Sequence, residues 1–352
     1  MRPLILVAAG LVATVLVATG VTLAVLQLQS RTNTQQVNLR SGVTISEDSA
    51  IVQAAAKAGP AVVSIVTQQQ PTFVRGSGYL ATSDGFIVTN IGVIAGASSM
   101  TVLVPGDSSL HDARLVDYDC ETGVAVIKID KVSGLPTLAF ADPTALVQGQ
   151  VIVAVGGPYD GGAITPSYVS AMHQVAYITD PVAAGRILEF NDVIQTSTPI
   201  DAGTAGGPLL NVGGQVVGIA MQASPASTRG AFGLNVTEVT DDVTQMIQTG
   251  QVVVSSLGAS TTNLTADVAA LNGLPPGSRL LTVDAQGPAA TAGLQPGDVI
   301  TQVDDVTLDS AHPLELLLRS RFHPNQRVTV TYSRSGTSTQ AQLTLSGQHP
   351  TC

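Results

Sequence analysis

The chain has 352 residues, room for two ordinary domains and a further segment, and 44% of them are hydrophobic, which excludes an intrinsically disordered protein. Its net charge is −10, and no stripe of Lys and Arg with interleaved aromatics occurs, so the counterion-releasing surface that nucleic acid requires is excluded. The two cysteines, Cys120 and Cys352, form no CxxC and no metal-ligand cluster, and no metal or organic cofactor is implied. One disulfide between them and two unpaired thiols both remain open at this level.

Taken from the N-terminus, the first feature is the apolar run from Leu4 to Leu28, unbroken by any charge. About 20 such residues cross a bilayer, so residues 1–29 are expected to form a transmembrane helix that anchors the chain in a membrane. A cleaved signal peptide is the alternative, with Ala18-Thr19-Gly20 as its poor cleavage site. Both readings place the remainder outside the cytoplasm. Residues 30–48 are polar and read as a linker. From Ile51 onward, β-branched runs alternate with turn signals: 61–66, 85–89, 123–129, 151–155 and 215–220 all read as strands. Asp84-Gly85 reads as a hairpin turn, and the segment 237–249 as a helix burying Val243, Met246 and Ile247. Many short strands in one stretch predict a barrel or sandwich over 49–251. A second unit, 256–347, mixes short helices at 266–271 and 313–322 with strands at 280–283, 298–303, 327–332 and 339–345. Its size suits a small α+β domain.

Three blocks then carry a family resemblance: Gly76-Ser77-Gly78-Tyr79, Gly85-Phe86-Ile87-Val88-Thr89-Asn90 and Gly203-Thr204-Ala205-Gly206-Gly207-Pro208-Leu209. They resemble the signature blocks of HtrA/DegP-type serine proteases. Further on, the run from Pro288 to Ile300, with Ala292-Gly293-Leu294-Gln295-Pro296-Gly297-Asp298 at its centre, is similar to the PDZ segment of that family. The resemblance implies a mostly β protein: a trypsin-like pair of six-stranded β-barrels followed by a PDZ domain. It also implies polypeptide or C-terminal peptide ligands, and a homo-trimer or a hetero-oligomer with active paralogues.

Active members of the family place a His after Thr-Asn-x, an Asp before the Ala-Val-x-Lys strand, and a Ser in Gly-Asn-Ser-Gly-Gly. The chemistry needs all three, because a serine hydroxyl is a poor nucleophile until an imidazole takes its proton and a carboxylate fixes the imidazole tautomer. At the matching positions this chain has Gly92, Gly123 and Ala205. The expectation is therefore a membrane-anchored pseudoprotease, with the backbone N–H groups of Gly203 and Ala205 as an oxyanion-hole remnant. Ile219-Ala220-Met221 would line the old cleft. Two other readings stand beside it: an endopeptidase of envelope quality control with a non-standard nucleophile, and a regulatory subunit of active paralogues.

Remaining candidates are weak. None of the five histidines lies in a family block, and Cys120 has no visible base. Thr122 and Thr204 sit one residue from lost positions, where a side chain points elsewhere. Asp119 and Glu121 read as solvated loop charges. In the second unit, Ser256-Leu257-Gly258-Ala259 occupies the place of the family's carboxylate-binding loop, whose N–H groups capture a peptide C-terminus. Ser256 stands where the family usually has an aromatic.

Overall fold

The structure is a computed structural model that describes residues 46–69, 72–142, 145–179, 187–221, 231–309 and 312–350. The expected membrane helix, residues 1–29, lies outside them, as does most of the linker; among the described residues no helix is long and apolar enough to cross a membrane. The first described element is helix α1, Ser46–Ala58, which begins inside the segment read as linker.

Six strands follow: β1 (Val62–Gln69), β2 (Thr72–Leu80), β3 (Phe86–Asn90), β4 (Ser99–Leu103), β5 (Leu110–Tyr118) and β6 (Val124–Ile129). A four-residue helix, α2 (Ile91–Ile94), interrupts them after β3. They close into an antiparallel barrel in the order β1-β2-β3-β6-β5-β4. A second closed barrel is built from β7 (Val151–Val155), β8 (Ile164–Thr179), β9 (Ile187–Thr196), β10 (Pro208–Leu210), β11 (Val216–Met221) and β12 (Ala231–Asn235), in the order β10-β11-β12-β9-β8-β7.

Strand β6 explains why alternation fails as a sequence signal here. All six of its residues are buried. Ala125, Ile127 and Ile129 fill the first barrel with Ile65, Leu80 and Ile87. Val124 and Val126 point the other way, into a core shared with Phe190, Ile219, Leu210 and Leu234 of the second barrel. A strand covered on both faces reads as a continuous apolar run. Helix α3, Val236–Thr249, closes this shared core with Val239, Val243 and Met246. Asn235 caps its start by accepting the Thr237 N–H, and Gly250 ends it in the left-handed conformation.

The last unit begins with β13, Val254–Ser256, and a sheet of β14 (Ala259–Leu264), β15 (Gly277–Val283), β16 (Val299–Val303), β17 (Val306–Thr307), β18 (Arg327–Arg334) and β19 (Thr337–Thr344). Helices α4 (Ala266–Asn272), α5 (Pro288–Thr291) and α6 (Leu314–Ser320) accompany it. The chain returns as β20, Ser346–Gln348, to pair antiparallel with β13. Leu314, Leu317 and Leu318 of α6 are buried against Leu257, Leu280, Ile300 and Val330, as their helical spacing predicts.

Arg319 ties this unit to the barrels. Arg319, at the end of α6, donates through Nη1 to Asp119 at 2.6 Å and to Asp242 at 3.1 Å, and through Nη2 to Glu121 at 2.7 Å. Asp119 is fully buried and Asp242 is 2% exposed, so the expectation of solvated charges is wrong for Asp119. Its carboxylate also accepts the Glu121 N–H at 2.8 Å. Burial would lower the Arg319 pKa, but the adjoining Asp119 and Asp242 raise it instead. Nearby, Asp117 Oδ2 accepts the Val252 N–H and the carboxylate meets His349 Nε2 at 2.9 Å.

Two predictions follow from these contacts. Gly206, at φ +84°, sits where a Cβ would overlap Thr89 Oγ1 and the Ser77 carbonyl. Gly206→Ala is expected to lose about 2 kcal/mol or more, from left-handed strain plus the overlap, measured by urea unfolding. Asp242 is pushed up to about 7, first by burial and then by Asp119, against the pull of Arg319. A carboxyl raised above its unfolded value of about 3.9 keeps its proton longer in the folded state, so it stabilises fully below about pH 4 and loses that contribution as pH rises toward about 7. Thermal midpoints of Asp242→Asn, subtracted from those of the natural chain across pH 4–8, are expected to isolate this slope. An unchanged slope would mean that Asp242 keeps an ordinary pKa.

Candidate functional site

Asn90 ends β3 and accepts the Val93 N–H at 3.1 Å, which starts α2 and places Gly92 one residue inside it. The Ile91 N–H donates to the Gly123 carbonyl at 2.8 Å, so the segment holding Gly123 lies against α2. From the other barrel, the Ala205 carbonyl accepts the Ser77 N–H at 2.8 Å, and Asn90 Nδ2 and the Gly206 N–H share the Ala220 carbonyl. Gly76 lies between the two sides: a Cβ there would stand 2.5 Å from Val93 Cγ2 and 3.0 Å from the Ala205 carbonyl. The seam between the barrels thus gathers the segments of Gly92, Gly123 and Ala205. At these positions it offers two bare backbones and one methyl group.

The space beside Gly123 is filled. Gly123 has φ +75°, and a Cβ on it would come within 2.6 Å of Phe190 Cε1. On Gly92 a Cβ would stand 3.2 Å from the capping Asn90 Oδ1. The Ala205 N–H donates to the Asp201 carbonyl at 3.0 Å, beside a parallel bond from the Thr204 N–H. Gly203 contributes its carbonyl to this seam, accepting from Ser77 Oγ at 2.5 Å, while the same Oγ accepts the Gly157 N–H at 2.7 Å. Ile219, Ala220 and Met221 are buried in β11.

Among the described residues, Thr122 and Cys120 are engaged elsewhere. Thr122 Oγ1 turns to Asp242 Oδ2 at 2.9 Å. Thr204 is buried facing Gly156. Cys120 is disulfide-bonded, which removes both the unpaired-thiol alternative and any role for it as nucleophile; Cys352 lies outside the described residues. His111 stands beside Asp107, His173 beside Asp192, His312 beside Asp309 and His349 beside Asp117.

A second candidate site lies in the last unit. Strand β14 is an edge of its sheet, and α6 meets it through Glu315, which accepts from Thr261 Oγ1. Between them is a cavity of about 160 Å³ whose walls include Ser256, Leu257 and Ala259 from the expected carboxylate loop, Thr261 from β14, and Leu314, Glu315 and Leu318 from α6. The loop is partly self-satisfied: the Gly258 N–H donates to Ser256 Oγ at 3.0 Å, and that hydroxyl donates to Gln348 Oε1 at 2.8 Å. Gln348 and Pro350 form the end wall, and Glu121 reaches in from the first barrel. Sequence reasoning missed Arg319 and Glu121 as groove-wall residues. The helix carries Glu315 and Ser320 as well as Arg319, so no local pattern set that arginine apart.

Residues 76–219 match the family model described as the trypsin-like peptidase domain, and residues 255–345 match that of the PDZ domain. A probable periplasmic serine endoprotease DegP-like of Rhizobium meliloti (strain 1021) is 31% identical over 278 residues, 77% of this chain, and the chain spans only about half of that relative, 53%. The serine protease Do-like HtrA of Lactococcus lactis subsp. lactis (strain IL1403) is 32% identical over 75% of this chain and 67% of its own length. Among solved structures, the HtrA-type protease AlgW with a decapeptide aligns at a TM-score of 0.69 and 26% identity, covering 86% of this chain and 99% of that one. With two barrels, a following PDZ unit and these relatives in agreement, the chain belongs to the HtrA/DegP-like family of trypsin-like serine proteases with a PDZ domain.

Proposed function

We propose that the chain is a pseudoprotease of this family, a binder of peptides or unfolded polypeptide rather than an endopeptidase. The observation that carries the reading is the absence of any proton-accepting or nucleophilic side chain at Gly92, Gly123 and Ala205. Two features support it. Phe190 stands where a side chain on Gly123 would have to go, and the Ala205 N–H is already donated to a protein carbonyl, so it cannot also be aimed at a developing oxyanion. Binding would fall to the groove between β14 and α6, where a ligand strand adds to the open edge and its C-terminus meets the loop Ser256–Ala259. The peptide in the AlgW structure is the relative's, and it supports this assignment by analogy.

The chain is placed outside the cytoplasm, held at the membrane by the apolar run from Leu4 to Leu28. The periplasmic relatives support the compartment, and so does the disulfide at Cys120, since such bonds persist where the surroundings are oxidising.

Casein digestion and labelling by a fluorophosphonate serine probe test the reading. The natural chain is expected to cleave nothing and take no label, consistent with the roughly 10⁶-fold loss that removing a nucleophile causes. Turnover above that of a mock purification would overturn the proposal. Restoring the side chains is expected to meet resistance at one position: Gly123→Asp should cost about 1–2 kcal/mol from left-handed strain alone, before the Phe190 clash, whereas Ala205→Ser should be nearly neutral. Urea midpoints of the two single variants distinguish these outcomes.

A further inference from the structure

The groove beside β14 carries an electrostatic bias that the peptide-binding reading does not by itself require. Three charged side chains line it: Glu121, Glu315 and Arg319. Arg319 brings no free positive charge, because its guanidinium is already hydrogen-bonded to Asp119, Glu121 and Asp242. Glu315 is exposed on the first turn of α6 and accepts one hydrogen bond, from Thr261 Oγ1 across the groove. A carboxylate has about four acceptor sites, so most of its capacity is open to a ligand.

Strand geometry says where a ligand cation would fall. Ala259 and Thr261 both line the cavity, two residues apart on β14. A peptide added antiparallel along this edge with its last residue beside Ala259 brings its third-from-last residue beside Thr261, on the same face. Glu315 is the carboxylate already bonded to Thr261.

We propose that the groove selects C-terminal peptides with lysine or arginine at the third-from-last position, recognised by Glu315. The inference rests on the groove being a peptide site, as proposed above, and adds the chemistry of the ligand. Exposed ion pairs are weak, so the selectivity is modest, about fivefold over a neutral residue and reduced by salt.

Fluorescence anisotropy of the full chain with three labelled peptides tests it. The peptides end in the same apolar residues with a free carboxylate and differ only in Lys, Gln or Glu at the third-from-last position. The Lys peptide is expected to bind about fivefold tighter than the Gln peptide, with the Glu peptide weakest. Glu315→Gln should abolish the preference and Glu315→Arg should invert it. Because the chain is acidic overall, Asp267→Asn, an exposed acid on α4 of the same unit, serves as control and should leave the preference intact. Equal binding of all three peptides would overturn the selectivity and leave the groove reading standing. A preference that survives Glu315→Gln, or falls equally with Asp267→Asn, would assign it to bulk charge and overturn the proposal. Binding of none of the peptides would sink the groove reading, and this inference with it.

Discussion

Backbone meets backbone along the seam between the two barrels, and the architecture depends on that approach. Gly206 and Gly207 allow it: a Cβ on Gly206 would run into the Ser77 carbonyl and Thr89 Oγ1 of the first barrel, and one on Gly207 would stand 3.1 Å from Ser77 Cβ. With the chains this close, buried polar groups must find partners across the seam, and those of Ser77, Thr89 and Asn90 do. Ser77 bonds to Gly203, Gly157 and Ala205, Thr89 Oγ1 donates to the Ser77 carbonyl at 2.8 Å, and Asn90 reaches the Ala220 carbonyl. An unpaired partner in such a network costs about 1–3 kcal/mol, so each member is fixed by the others. The apolar core around Val126, Phe190 and Ile219 lies under this polar seam and supplies its non-directional support.

The same logic of forced pairing governs the junction with the PDZ unit. Arg319 would be costly to bury alone, and Asp119 and Asp242 would be costlier still, since two carboxylates repel each other in a low-dielectric site. Together they form a cluster whose geometry is specified by three elements: α6, α3 and the turn before β6. Glu121 belongs to both that turn and the groove wall, so the position of α6, which sets the groove width, is referred to the first barrel rather than to the PDZ sheet alone. Such a cluster contributes orientation more than net stability.

How much of this could be read from the residues depends on the range of the contact. Asp84-Gly85 and the leucines of α6 declared themselves because the requirement is local: a tight turn, a helical spacing. The Gly85 N–H does bond back to the Thr82 carbonyl, closing the expected turn between β2 and β3. Helix α1 was not read, because its alanines neither alternate nor form a wide apolar stripe, and it is tertiary contact with the shared core through Ala58 that recruits it. The long β8–β9 hairpin was only partly visible, since its register shifts repeatedly between Val169 and Ala176 and no single period survives a shift. The Arg319 cluster was invisible in principle. Its partners are 77 to 200 residues away, and nothing local separates a buried arginine from a solvated one. In the same way, the residue types at 92, 123 and 205 were plain, while the Ala205 N–H bond to Asp201 and the Phe190 ring over Gly123 depend on the folded chain.

The proposed loss of catalysis and the intact fold are compatible because the two rest on different atoms. Every polar side chain that the seam needs, Ser77, Thr89 and Asn90 among them, is bonded to backbone of a neighbouring strand or of the opposite barrel, and none is bonded to a side chain at 92, 123 or 205. The hydrogen bonds of Ser77, Thr89 and Asn90 across the seam are made without any side chain at those positions. At Gly123 the fold goes further, since Phe190 packs against the bare backbone and exchanges a polar vacancy for apolar contact. The energetic cost of the missing groups would therefore fall on chemistry and not on folding. The PDZ groove, with its open edge at β14, its apolar floor and its acidic wall, retains a surface on which a peptide-binding role can act without them.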